Sequence, residues 1–432
     1  MSDERFESIV TPVPGPRSLA LARKLARHES HAVTYLSPEY PVFWESARGS
    51  TVTDVDGNRY LDLTSAFGVA ATGHTNAAVA HAVAEQAQRL IHGMGDVHPT
   101  AVRAELIERL AALAPGDLGV VYLATGGAEA IELALESAYL ATGKPRILAY
   151  EGAYHGLTLG TLEVIGIPKF RDPFAPLVAN RATFLPYPGA QTPLAPALEN
   201  AAAALDADPA LGAILVEPIQ GRGGVIVPPD GFLRGLRALC DERGILLILD
   251  EIFTGFGRTG TRFACEREGV VPDLLCVGKA LAGGVPLAAL IGRHSVMQAW
   301  PHNEGEALHT ATFLGNPLAC AAALANLGEM ERLDVVGRVR RGEPLLLACL
   351  QRIAEFPAVR DLRGRGFFWA LEFANGEVAN RIVVRALAAG VVLLQSGPAG
   401  TSITFTPPLV IEDEQLIRAL DIVEQTVREV TA

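Results

Sequence analysis

Lys279 has the strongest claim on chemistry in this chain. It follows the apolar run 274–277 and sits between Gly278 and Ala280-Leu281-Ala282-Gly283-Gly284. Lysines are rarely buried, and one in so apolar a setting could have a lowered pKa suited to Schiff-base chemistry. Asp250 follows directly on the run ILLIL, where a carboxylate at a buried strand end needs a cationic or hydrogen-bonding partner. Thr125-Gly126-Gly127-Ala128 leads from a β-branched run into a helical stretch, and small residues at a helix start let backbone N–H groups meet an anion such as a phosphate. Tyr154-His155-Gly156 comes shortly after the run RILAY and offers an aromatic ring for stacking on a planar group.

These features meet only if the chain brings them to one edge of a sheet. Short, nearly continuous apolar runs stand at 119–123, 146–150, 213–216, 245–249, 274–277 and 287–291, and helical stretches such as 128–140, 193–205 and 232–242 separate several of them. Strands apolar on both faces, alternating with helices, predict an α/β domain with a mostly parallel sheet, which binds ligands at the carboxyl ends of its strands. Asp-Gly turn chemistry at 49–63 predicts a hairpin. Beyond a helix at 317–333, strands at 366–373 and 403–405 and a last helix from about 412 predict a smaller α+β domain. The expected organisation is an N-terminal segment 1–74 packing with the small domain, a large domain 75–325, and a C-terminal α+β domain 326–432.

Composition excludes several function classes. The 432 residues are 49% hydrophobic and 19% charged, which is a folded chain and not a disordered one. A formal charge of −12 opposes nonspecific binding to nucleic acid or anionic membrane. Five scattered cysteines with no Cys-x-x-Cys pair indicate neither a zinc ribbon nor a disulfide framework, so a reducing cytoplasm is expected. The polar, acidic start does not read as a signal peptide, and no apolar run is long enough to span a bilayer. ILLILDE resembles the acidic strand of a nucleotide triphosphatase. However, neither Gly143-Lys144 nor Gly278-Lys279 is followed by Ser or Thr, so the phosphate loop fails. Gly255-Phe256-Gly257-Arg258-Thr259-Gly260 spells a dinucleotide fingerprint but stands away from its strand, with no acid ending a later one. The histidines show no recognisable zinc-ligand spacing, and no metal is expected.

A phosphate cradle, a buried aspartate, a lysine and an aromatic plate are together what pyridoxal 5'-phosphate demands. Here a specific resemblance enters. The order and spacing of Asp54-Val55-Asp56-Gly57-Asn58-Arg59-Tyr60-Leu61-Asp62, Gly126-Gly127-Ala128-Glu129-Ala130, Tyr154-His155-Gly156 and Val216-Glu217-Pro218-Ile219-Gln220-Gly221 carry its first half. Asp250 to Gly260, Gly278-Lys279, Thr312-Phe313-Leu314-Gly315-Asn316-Pro317 and Arg363-Gly364-Arg365-Gly366 complete it. Over nearly its whole length the chain resembles a class III (ornithine and ω-amino acid type) aminotransferase of fold type I.

The resemblance implies that Lys279 is joined to the cofactor and carries the proton between Cα and C4′. It implies that Asp250 pairs the pyridinium, Tyr154 stacks on one ring face and Ile252 packs on the other. Gly127 and Ala128 would hold the phosphate through backbone amides. Thr312 would reach the phosphate bound in a neighbouring subunit, making a homodimer or higher homo-oligomer with shared active sites. Glu251 reads as a structural hydrogen bonder. There are departures: Ala128 replaces a common hydroxyl residue, and Phe253 stands where many members carry Gln. Leu157 and Thr404 stand where carboxylate-binding relatives carry Arg, and Gly397 where amine-accepting ones carry a mobile Arg.

The expected activity is therefore ping-pong transamination from an amine, ω-amino or amino-acid donor to a keto acid or ketone. Glu217 would receive a distal ammonium while Phe253 and Leu157 line an apolar wall beside Thr404. Arg222 or Arg365 moving in to bind a carboxylate is the competing reading of the same site. An amino-acid racemase or epimerase of the same fold, and a non-catalytic cofactor-binding relative, are the alternatives for the activity.

Overall fold

The apolar runs assemble into one seven-stranded sheet in the computed structural model, which describes residues 6–432. Across it the order is Leu118–Ala124, Ala288–Arg293, Leu274–Val277, Leu246–Asp250, Leu211–Val216, Arg146–Tyr150, Ala182–Leu185. Neighbours from Leu274–Val277 to Ala182–Leu185 pair in parallel, whereas Ala288–Arg293 is antiparallel to both of its neighbours. The reason is the short connection through the single turn Lys279–Ala282 and the left-handed Gly283 and Gly284. A parallel crossover needs a dozen or more residues, so a chain turning back this soon must return antiparallel. That tight return is the element that presents Lys279.

The helix Gly127–Thr142 lays Ile131, Leu133, Ala134 and Ala138 against the sheet and stops at Gly143, whose φ of 68° supplies a left-handed cap. The strand Ala182–Leu185, half-buried at the sheet edge, has too little apolar contrast to be read from its residues.

The predicted hairpin is present as Thr51–Asp54 and Arg59–Asp62, with Trp44–Arg48 added at its outer edge. Asp54 builds its turn. One carboxylate oxygen accepts from the Asp56 and Asn58 amides at 2.9 and 2.8 Å, and the other accepts from the Asn58 side chain and the Tyr60 hydroxyl. On the opposite edge, Arg59–Asp62 pairs in parallel with Val391–Val392, so the N-terminal hairpin shares a sheet with the C-terminal part of the chain.

A third sheet contains Val359–Arg365, Phe368–Phe373, Ser402–Phe405 and Leu394–Ser396, and packs with the helices Val335–Ala354 and Gly376–Ala388, on which the last helix, Asp413–Thr431, lies. Its second strand starts at Phe368 instead of residue 366, because Gly366 has a φ of 60° and turns the chain. The helix Pro317–Arg332 crosses the expected boundary at 325. It belongs with the large sheet, since its Asn326 side chain donates to the carbonyls of Ala280 and Leu281 at 2.6 and 3.1 Å. Among the described residues, no helix is long and apolar enough to cross a membrane.

Candidate active site

Five functional segments emerge at the carboxyl ends of the large sheet's parallel strands. Asp250 ends Leu246–Asp250, Glu217 follows Leu211–Val216, and Lys279 comes two residues after Leu274–Val277. Thr125 to Gly127 leaves Leu118–Ala124, and Tyr154 lies just beyond Arg146–Tyr150.

Asp250 is buried. One of its oxygens accepts the Ile252 amide at 3.0 Å, and the other lies 2.7 Å from Nδ1 of His155. The His155 side chain is itself wholly buried, and its Nε2 has no partner among the described residues. His155 is a site residue that the sequence placed in a motif, Tyr154-His155-Gly156, without giving it a role of its own. The signal was there, in a histidine within the same tight segment as the aromatic Tyr154.

Glu217 is also buried. Its two oxygens accept the backbone amides of Tyr154 at 3.0 Å and Gly221 at 2.9 Å. Burial pushes its carboxyl up to about 7, against the pull of His155 and with a further push from Asp250. Lys279 has a φ of 40°, a strained left-handed backbone for a residue with a side chain. Burial pushes its amine below the usual lysine value, while Asp250 and Glu217 draw it back up.

Nζ of Lys279 lies 4.3 Å from the centre of the Phe253 ring. The Phe253 ring stacks on Phe368, with centroids 4.6 Å apart and planes 8° from parallel. Its edge meets Gly68 and Gly221 so closely that a Cβ there would stand 2.8 and 3.2 Å from ring atoms. Gly68 ends a run in which Ser65, Ala66 and Phe67 are all left-handed. The fully buried Arg258 supports that run. Its guanidinium donates to the carbonyls of Pro407 at 2.6 Å and Phe367 at 3.1 Å, and to the Ser65 hydroxyl at 3.4 Å. The glycine-rich segment 255–260 is thus a structural brace.

Gly127 faces Ile252, where a Cβ would come within 3.0 Å of the isoleucine Cδ1. The helix starting there has Gly126 as its cap, with no side-chain hydrogen bond to its first amides. Ala128 packs on Gly156, which has a φ of 118° and no room for a side chain. The Tyr154 ring meets Phe170 edge-on at 5.7 Å. Glu251 accepts from the Ala264 and Cys265 amides and the Thr254 hydroxyl, all structural contacts.

Contacts therefore link Lys279, Phe253, Glu217, Tyr154 and, through Ile252, Asp250 and Gly127. The other named residues stand differently. Thr404 is buried with its hydroxyl 2.6 Å from that of Ser396. Leu157 is 50% exposed, and Thr312 is exposed. Arg365 is bound to Asp230 at 2.5 Å. Arg222 is exposed, held at 3.3 Å by the Gln395 carbonyl, and its charge reaches the Tyr154 phenol.

These groups fit pyridoxal phosphate: an uncapped helix start for the phosphate, a buried carboxylate for the ring nitrogen, and a lysine of lowered pKa for the aldehyde carbon.

A model of the family described as "Aminotransferase class-III" matches residues 34–427. The chain is 38% identical to the acetylornithine aminotransferase of Methanopyrus kandleri over 390 residues, which cover 90% of this chain and 95% of that protein. It is 39% identical to the putrescine aminotransferase of Pectobacterium atrosepticum over 388 residues, covering 88% and 81%. Among solved structures, a thermostable (S)-enantioselective omega-transaminase from Thermomicrobium roseum matches with a TM-score of 0.90 at 28% identity, over 96% of this chain and 99% of that one.

Proposed function

The chain belongs to the class-III aminotransferases, and on that premise we propose that its donor is an amine or ω-amino compound whose far end is apolar or cationic. It is a pyridoxal-phosphate enzyme that passes an amino group from an amine or amino-acid donor to a keto acid by a ping-pong cycle. Racemisation and mere cofactor binding, the two alternatives, are thereby set aside. When bound, pyridoxal phosphate supplies an aldehyde carbon that takes the amine and a protonated ring that draws off the electron pair left by the departing Cα proton.

The rest is the work of side chains. Lys279 carries the proton between Cα and C4′. Asp250 keeps the ring nitrogen protonated, and His155 orients Asp250. Tyr154 and Ile252 would hold the ring between them, and the amides of Gly127 and Ala128 would take the phosphate. Thr312 serves the phosphate of a second copy, so the active unit is a homodimer or larger homo-oligomer; its exposure supports that reading. The pairing of Leu61 with Val391 supports an N-terminal segment that packs with the C-terminal domain. Five buried, unpaired cysteines support a reducing, cytoplasmic setting.

Glu217 carries the substrate reading. It is a buried carboxylate bound by two backbone amides, and among the described residues no arginine pairs with it. Positions 404, 397 and 157 offer no cation either. A donor with a distal ammonium would give Glu217 its missing charge partner, and Phe253 would line the apolar side. The keto acid of the second half-reaction still brings a carboxylate. Arg222, loosely held and close enough to act on Tyr154, is its partner, whereas Arg365 is committed to Asp230. The test compares kcat/KM for an amine and its α-carboxylated counterpart as donors. The amine is expected to be used at least as well. A preference above about 100-fold for the acid, roughly 2.7 kcal/mol of transition-state binding, would overturn the reading.

A further inference from the structure

The ring of Phe253 is fixed on one face and along its edge. Phe368 stacks on that face, and the backbones of Gly68 and Gly221 close on its rim. The face left over receives the Lys279 amine at 4.3 Å from the ring centre. Among the described residues no carboxylate lies within ion-pair distance of that amine. The charged groups that act on it are Asp250 and Glu217, with His155 behind Asp250. The backbone of Lys279 is left-handed, with a φ of 40°.

We propose that Phe253 is a further catalytic residue, whose ring face receives the Lys279 ammonium whenever that amine is not joined to the cofactor. The proposal rests on the aminotransferase reading above. A proton carrier must hold its proton briefly and then pass it on. A carboxylate in contact would fix the ammonium and stop it from releasing its proton to C4′. An aromatic face attracts a cation several-fold more weakly than a contact carboxylate would at the same separation, and it excludes water. Phe253 therefore steadies the charged lysine and still lets the proton leave.

The chain suits a direct test, because it has only four lysines: Lys24, Lys144, Lys169 and Lys279. Protein labelled with 13C at lysine Cε is checked for uptake of pyridoxal phosphate and then loaded with pyridoxamine 5'-phosphate, the aminated cofactor, which leaves Lys279 free. Lys279→Met identifies the resonance. In the wild type that Cε signal should lie upfield of the other three through the ring current of Phe253. In Phe253→Leu it should move downfield and titrate about half to one pH unit lower, while Phe253→Tyr keeps the wild-type values. An unchanged midpoint and chemical shift in Phe253→Leu would overturn the proposal. If that variant fails to fold, the wild type decides alone, since a Lys279 signal with no upfield displacement overturns it equally. A wild-type protein that takes up no cofactor colour would instead overturn the aminotransferase reading.

Discussion

Nδ1 of His155 stands 2.7 Å from a carboxylate oxygen of Asp250, and the imidazole is sealed from solvent. The pair joins the segment after one strand to the end of another, and it leaves Asp250 little freedom to turn. Asp250→Asn should keep the cofactor and lose several orders of magnitude in rate, because a neutral pyridine accepts electrons poorly. His155→Ala should cost about 10- to 100-fold in kcat, the worth of one charge-assisted hydrogen bond. Single-turnover absorbance changes measure both. Lys279→Ala should lose the absorbance of the imine between lysine and cofactor together with turnover, and retained activity would defeat the whole assignment.

If Glu217 receives a distal ammonium, donor choice depends on pH. Burial raises its carboxyl to about 7, so it is mostly protonated below that pH and ionised above it. Only the ionised form can partner a distal ammonium. The ratio of kcat/KM for a diamine over a monoamine of equal length should rise about tenfold from pH 6 to pH 8. Taking the ratio cancels the titration of Lys279 and of the reacting amine. Glu217→Gln should flatten the profile, and an equally steep profile in that variant would rule Glu217 out as the partner.

Arg258 has carbonyl and hydroxyl partners from three separate segments and is fully buried. Arg258→Met should leave the Phe367 and Pro407 carbonyls without their donor, at a cost of roughly 2–5 kcal/mol. Denaturant unfolding should show this as a lower midpoint at unchanged slope. Arg258→Lys should recover only part of it, since one ammonium cannot span the same acceptors as a planar guanidinium.

If Thr312 reaches the cofactor of a second copy, it reports on assembly. Thr312→Ala should weaken cofactor binding by about 1–3 kcal/mol, and dilution of the wild type to monomers should release cofactor. Sedimentation with simultaneous detection of the cofactor band checks this. A fully active monomer would remove Thr312 from the site.

Much of this was legible in the residues themselves. Lys279, Asp250 and Gly127 could be placed because each follows an apolar run, and a run followed by a polar residue marks a strand end. The antiparallel return at Ala288–Arg293 was not, since an apolar strand reads the same in either direction. The helix Val335–Ala354 was hidden by Pro344 and by the arginines at 338, 340 and 341. The partners of Phe253 were illegible for a different reason. Gly68 and Phe368 come from opposite ends of the chain, and only the tertiary fold brings them to one ring. Arg258 was masked by a motif whose spelling suggested a nucleotide loop.

The parallel pairing of Leu61 with Val391 also has a consequence for synthesis on the ribosome. The hairpin ending at Asp62 emerges early, but its partner strand follows about 330 residues later. At roughly 5–20 residues per second, the amides of Leu61 and Leu63, which donate to the carbonyls of Gly390 and Val392, wait about 15–65 s for those partners. An open edge of that kind is a template for the wrong strand. The nascent chain should therefore be most vulnerable to misassembly in this interval, and a chaperone that shields strand edges would help most before residue 392 has left the exit tunnel.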